Sequence, residues 1–133
     1  MKLLIVDDEE EVRELLGILL RSYSDVQVVG SASNVDDAVK ITLEEKPDVV
    51  LLDISMPGRD GFDYITEMES RNLYPGIILV TAFENYAIKA IKSAAFDYLL
   101  KPVSKQDLFS ALDRFRELKC DWVSQNIIEV FRV

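Results

Sequence analysis

Five short apolar runs, each too brief for a helix and separated by stretches of helical periodicity, constrain this chain more than anything else in it. The runs are Leu3–Val6, Val26–Val29, Val49–Leu52, Ile77–Val80 and Tyr98–Leu100. They are rich in Val, Ile and Leu and lack polar alternation, the pattern of strands buried on both faces. Between them, Val12, Leu15, Leu16, Leu19 and Leu20 fall on one helical stripe, as do Ala87, Ile88, Ile91, Ala94 and Ala95, and later Leu108, Leu112 and Phe115. Asn34 with Asp37, and Ser104 with Asp107, have the spacing of an N-cap and first-turn acid. Turn signals at Glu45-Lys46-Pro47-Asp48, Pro57-Gly58, Asp60-Gly61 and Tyr74-Pro75-Gly76 punctuate the series. Strands alternating with helices imply right-handed crossovers, so the chain is expected to be a single α/β domain with a five-stranded, doubly wound parallel sheet.

In such a sheet, ligands bind beyond the carboxyl ends of the strands. The first run ends in Asp7-Asp8, the third in Asp53, the fourth in Thr81-Ala82 and the fifth in Lys101-Pro102. Parallel strands would bring these ends to one edge, gathering three carboxylates, a hydroxyl and an ammonium. Carboxylates without histidine or thiolate make a hard, all-oxygen site suited to Mg²⁺ or Mn²⁺. A carboxylate beside such an ion can attack phosphorus and form an acyl phosphate. An ammonium and a hydroxyl would then stabilise the phosphoryl oxygens.

Each residue alone also has a plainer reading. Asp7 to Glu11 could be a solvated helix start, and Asp53 a turn residue before Pro57-Gly58. Thr81 could be an ordinary strand-end hydroxyl, and Tyr98 a half-buried strand aromatic. Complementary chemistry at four strand ends favours the joint reading.

Composition narrows the partners. With 24 acids against 15 bases, the net charge is −9, which disfavours nucleic-acid binding by this segment and favours cations or basic protein surfaces. The chain has no histidine, which excludes imidazole catalysis and a phosphohistidine donor role within it. Its single cysteine, Cys120, excludes an internal disulfide and fits a reducing, cytoplasmic setting as an unremarkable thiol. No apolar run approaches the roughly 20 residues of a membrane span, and the first residues lack signal-peptide anatomy.

The stretches "LLIVDDEE", "PDVVLLDISMPGRDGFD", "IILVTAF" and "FDYLLKPV", in this order and at these separations, resemble the receiver domain of bacterial two-component response regulators over residues 1–118. The resemblance implies a flavodoxin-like (CheY-like) fold with strand order 2-1-3-4-5. It implies that Asp53 is the phosphoacceptor, fed by a sensor histidine kinase or phosphotransfer protein. Asp8 would ligate Mg²⁺ directly, Asp7 through water, and Asp53 and the main-chain carbonyl of Ser55 would complete the protein's share. Thr81 and Lys101 would contact the phosphoryl group, Thr81 and Tyr98 would act as the switch pair, and Lys101-Pro102 would be a cis peptide. Phosphorylation would remodel the face of the fourth helix, fifth strand and fifth helix, with a phosphorylation-dependent homodimer as a family-level expectation. Met56 beside the acceptor and Phe83 beyond Thr81 are unassigned positions, the latter able to shape access to the phosphate or to pack on the fourth helix.

"AFENYAIKAIKSAAFDYLLKPV" further resembles receivers joined to output domains of LytTR or AraC type, in transcription regulators. Residues 119–133, too few for such a domain, are expected to extend the last helix to Trp122 as a tail or begin a linker. Ile127 to Val133 reads as a strand-like run without a partner. Two other functions compete with the switch. A degenerate receiver acting only as a docking module is disfavoured by the complete acid, Thr81 and Lys101 set. A phosphatase of the haloacid dehalogenase type requires an aspartate two residues after the nucleophile, where Ser55 stands. Beyond phosphoryl transfer to Asp53 and its hydrolysis, no enzymatic activity is expected.

Overall fold

The computed structural model describes residues 1–82 and 95–131, with side chains through residue 118. Within these residues, β1 (Lys2–Val6), α1 (Glu10–Leu20), β2 (Gln27–Ala32), α2 (Val35–Glu45), β3 (Val49–Leu52), α3 (Gly61–Ser70), β4 (Gly76–Thr81) and β5 (Asp97–Leu100) precede a long C-terminal helix, Lys105–Phe131. The expected fourth helix and Phe83 lie outside the described residues, apart from Ala95, which packs against the core. All strand pairs are parallel, and their order is β2-β1-β3-β4-β5.

Alternation along the strands divides the core into two layers. Leu4, Val6, Val50 and Leu52 pack with Val35, Ala38, Tyr64 and Met68 of α2 and α3. Leu3, Ile5, Val49 and Leu51 pack with Leu16 and Leu20 of α1 and with Leu108, Leu112 and Phe115 of the C-terminal helix. Burial on both faces is why β1, β3 and β4 read as continuous apolar runs. Where apolar helix faces meet the α2–α3 layer, the Tyr64 hydroxyl shares a 2.7 Å hydrogen bond with Thr42, whose Oγ1 also donates to Ala38 O. This pairing satisfies the polar atoms of a fully buried tyrosine.

Local signals hold where caps were expected. Asn34 Oδ1 accepts from Asp37 N at 2.8 Å, and Ser104 Oγ accepts from Asp107 N at 3.1 Å. Asp60 and Asp63 form a reciprocal capping box at the start of α3, where only a turn was anticipated.

Three departures have physical causes. The second strand occupies 27–32 rather than 26–29, because Gly30, Ser31 and Ala32 pair with Leu4, Ile5 and Val6. Ladder hydrogen bonds extend the strand where hydrophobicity gives no sign of one. As an edge strand it leaves Val28 41% exposed. In α1, Leu16 and Leu20 are buried but Leu15 is exposed, so the stripe is narrower than the spacing suggests. Finally, the run from Ile127 to Phe131 is helical rather than strand-like, and the helix passes Trp122 without a break. A strand there would leave its backbone unpaired, whereas a helix satisfies it internally at a modest propensity cost for β-branched residues.

The C-terminal helix is seated by Phe115, whose ring lies over the start of β4. A Cβ on Gly76 would stand 2.2 Å from Phe115 Cε2. Gly76→Ala is therefore expected to destabilise the fold by about 1–3 kcal/mol through overpacking, as read from urea unfolding.

Candidate functional site

Three strand ends are held in register by the backbone itself. Asp53 N donates to Val6 O at 2.9 Å, Asp7 N to Ala32 O at 3.0 Å, and Lys101 N to Thr81 O at 2.8 Å. These bonds continue the sheet's ladder one residue beyond the strands, so Asp7, Asp53, Thr81 and Lys101 arrive at one edge as expected. Asp7, Asp53 and Thr81 are buried, while Asp8 is exposed.

The charges converge. Lys101 Nζ lies 2.8 Å from Asp7 Oδ2, 3.5 Å from Asp53 Oδ2 and 3.6 Å from Glu9 Oε1. One carboxylate oxygen from each of Asp7, Asp8 and Asp53 falls within 4.8 Å of the others. Burial first, and then the neighbouring Asp7 carboxylate, push the Asp53 carboxyl up to about 6, with Lys101 opposing them. Burial likewise raises Asp7, against the pull of Lys101 and the Glu9 amide. For Lys101 burial acts downward, but the surrounding carboxylates outweigh it and hold the ammonium above its ordinary value.

The donor set fits a hard divalent cation. Three carboxylates in such proximity repel one another, and one ammonium compensates them incompletely. Asp7 Oδ2 is buried and has the Lys101 ammonium 2.8 Å away, so one cation faces a cluster of three carboxylates. Mg²⁺, bound through oxygens and water, matches this arrangement. Asp7, Asp8 and Asp53 are the residues that could hold it.

The loop following Asp53 is shaped by two glycines. Gly58 has φ of +80°, and Gly61 N donates to Ile54 O at 2.9 Å. A Cβ on Gly61 would stand 2.5 Å from the Asp53 carbonyl oxygen, so α3 can begin against the Asp53 backbone only with glycine there. Ser55 N lies 3.4 Å from Asp53 Oδ1. The Lys101-Pro102 peptide is cis.

Other singled-out residues divide. Tyr98 is half-buried on β5, packed against the layer containing Ile77 and Leu79. Met56 is buried in that same layer, which makes it a core residue. The side chains of Cys120 and Trp122 lie outside the described residues. Sequence reasoning missed Arg13, whose Nη1 donates to Asp7 O at 2.7 Å and braces the end of β1 from α1. The six-residue separation crosses a strand–helix turn, so no helical or strand periodicity marks the pair.

Comparison with known proteins is consistent across three kinds of likeness. Residues 3–113 match the family described as the response regulator receiver domain. The transcriptional regulatory protein BtsR of Salmonella typhi is 42% identical over 117 residues, which cover 88% of this chain and 48% of that protein. The sensory transduction protein LytT of Bacillus anthracis is 34% identical over 119 residues, covering 90% of this chain and 48% of LytT. The chain thus spans about half the length of these curated relatives. Among solved structures, the response regulatory domain of mrkE from Klebsiella pneumoniae superposes with a TM-score of 0.77 at 31% identity, covering 93% of this chain and 99% of that one. The isolated REC domain of RcsB from Salmonella enterica serovar Typhimurium gives 0.80 at 26% identity, with 88% of each covered.

Proposed function

The chain belongs to the response regulator receiver domain family, and from that premise we propose that it is a two-component switch that accepts a phosphoryl group on Asp53. The observation that carries this reading is the placement of Lys101 Nζ between the buried carboxylates of Asp7 and Asp53, 2.8 and 3.5 Å away. It sets an Asp53 carboxylate oxygen, a compensating cation and a cluster of three carboxylates in one cleft. A sensor histidine kinase or phosphotransfer protein is the donor. Residues 1–118 form the receiver, and the segment beyond them, helical to Phe131, is a tail or the start of a linker. Placement in the cytoplasm belongs to this reading, and no described helix is long and apolar enough to cross a membrane.

In the transfer, an Asp53 carboxylate oxygen bonds to phosphorus while the donor's bond to phosphorus breaks, its electron pair leaving with the donor. Mg²⁺, when bound, neutralises charge on the transferring oxygens. Lys101 exchanges part of its pairing with Asp53 for the new phosphoryl oxygens, and the Thr81 hydroxyl donates to another. The added charge favours the arrangement in which Thr81 is drawn toward the cleft. Tyr98, opposite Leu79 on the neighbouring strand, then repacks and alters the face around β5 and the C-terminal helix. A phosphorylation-dependent homodimer or an attached output domain would read that face.

Incubation with acetyl phosphate and Mg²⁺, followed by intact-mass analysis, tests the assignment. The wild-type chain is expected to gain one phosphoryl group that hydroxylamine removes, and Asp53→Ala to gain none. A label persisting on Asp53→Ala would move the acceptor elsewhere.

A further inference from the structure

Glu9 breaks a local rule. It occupies the N-cap of α1 with extended backbone angles (φ −89°, ψ 115°), yet its side chain makes no cap. Asp, Asn, Ser or Thr would satisfy a helix amide from that position; glutamate is not among the preferred residues. Instead Glu9 Oε1 lies 3.6 Å from Lys101 Nζ, and its side chain is 59% exposed where those of Asp7 and Asp53 are almost wholly buried. Its backbone is fixed, because Glu9 N donates to Asp7 Oδ1 at 2.9 Å. A negative charge is thus anchored at the open rim of the cleft, sharing the cation that an incoming phosphoryl group needs.

We propose that Glu9 is a donor-specificity residue, whose rim carboxylate disfavours small anionic phosphodonors and favours a donor presented by a protein surface that brings a cation to the rim. This rests on the reading of Asp53 as phosphoacceptor. The physical basis is twofold. Like charges repel across the short approach to Asp53, and the penalty grows with the donor's negative charge. Glu9 also competes with the phosphoryl oxygens for Lys101. A protein donor with a basic side chain opposite Glu9 removes both handicaps, whereas acetyl phosphate removes neither. Phosphoramidate is less negative because its amine is protonated, so it meets a smaller barrier. With acetyl phosphate the Asp53–phosphorus bond forms as the phosphorus–oxygen bond breaks and acetate leaves; with phosphoramidate a phosphorus–nitrogen bond breaks and ammonia leaves.

The test compares initial phosphorylation rates of wild type, Glu9→Gln and Glu9→Asp with each donor at saturating Mg²⁺. Glu9→Gln is expected to accelerate labelling by acetyl phosphate roughly two- to fivefold at about 0.01 M salt, with most of the gain lost at about 1 M, where screening is nearly complete. Labelling by phosphoramidate should change much less, and Glu9→Asp, which keeps the charge but can turn back to cap α1, should accelerate acetyl phosphate labelling less than Glu9→Gln does. An equal change with both donors, or one independent of salt, would overturn the proposal. Calorimetric Mg²⁺ affinity should be the same for wild type and Glu9→Gln; a tenfold loss would show that Glu9 acts through the ion and would also overturn it. Wild type that takes label from neither donor refutes the acceptor reading itself. Labelled wild type with an unchanged donor ratio in Glu9→Gln refutes only the role of Glu9.

Discussion

Asp53→Asn is expected to abolish phosphoryl acceptance and, at the same time, to make the metal-free protein more stable by about 1–3 kcal/mol at neutral pH. The carboxyl of Asp53 is pushed from an ordinary 3.8 up to about 6 by burial and by the nearby Asp7. An acid raised in the folded state is a liability wherever it must ionise to match the unfolded chain. Below about 3.8 both states hold the proton and the group is neutral in its effect. As pH rises from 3.8 through about 6, the unfolded chain releases its proton first, and wild-type stability falls; above 6 the full penalty is present. That gap corresponds to an upper bound of about 3 kcal/mol, reduced because asparagine also deprives Lys101 of a partner. Urea unfolding across this window should therefore show the variant's advantage at pH 7 and its disappearance near pH 4. Mg²⁺ should narrow the difference by stabilising wild type preferentially, since binding to the folded state adds to its stability. A variant less stable than wild type at pH 7 would show that Asp53 is well compensated in the fold.

Lys101→Met is expected to act in the opposite direction. Methionine keeps the length of the stem but removes the only ammonium that the described residues place within 4.0 Å of Asp7 and Asp53. Removing one member of a buried ion pair typically costs about 3–5 kcal/mol, because the other charge is left uncompensated. The Lys101 side chain retains 14% exposure, so about 2–4 kcal/mol is expected at pH 7. Most of the loss should be regained near pH 4, where Asp7 and Asp53 take up protons, and part of it on adding Mg²⁺. Phosphoryl acceptance should slow strongly, since both the pairing to Asp53 and the cation for the phosphoryl oxygens are gone. A variant as stable as wild type at pH 7 would show that water already compensates the carboxylates. Differential stability at the two pH values, measured by denaturant midpoint, separates a charge effect from simple loss of packing.

Much of this was readable beforehand. Val49–Leu52 announces itself as a strand because both of its faces are covered, and hydrophobicity records burial directly. Asn34 and Ser104 cap helices because the spacing of a side-chain acceptor and a following amide is local. The same holds for the candidate site: Asp7, Asp8, Asp53, Thr81 and Lys101 stand at strand ends, and parallel topology alone sends those ends to one edge. By contrast, Gly30-Ser31-Ala32 is a strand only because β1 supplies its hydrogen bonds. Ile127 to Phe131 carries strand-like residues, yet a helix already running through Trp122 continues across them.

By itself, then, the sequence determined the alternation of elements, the parallel sheet and the set of residues at its carboxyl edge, because burial and capping are written in nearest-neighbour patterns. Only the tertiary structure decided how the charges compensate one another: that Lys101 sits nearest Asp7, that Arg13 braces Asp7 from α1, and that Glu9 turns from capping a helix to facing Lys101. Those outcomes depend on distances of a few ångströms between groups far apart in the chain. Electrostatic energy varies steeply over such distances, and no local pattern of residues encodes them.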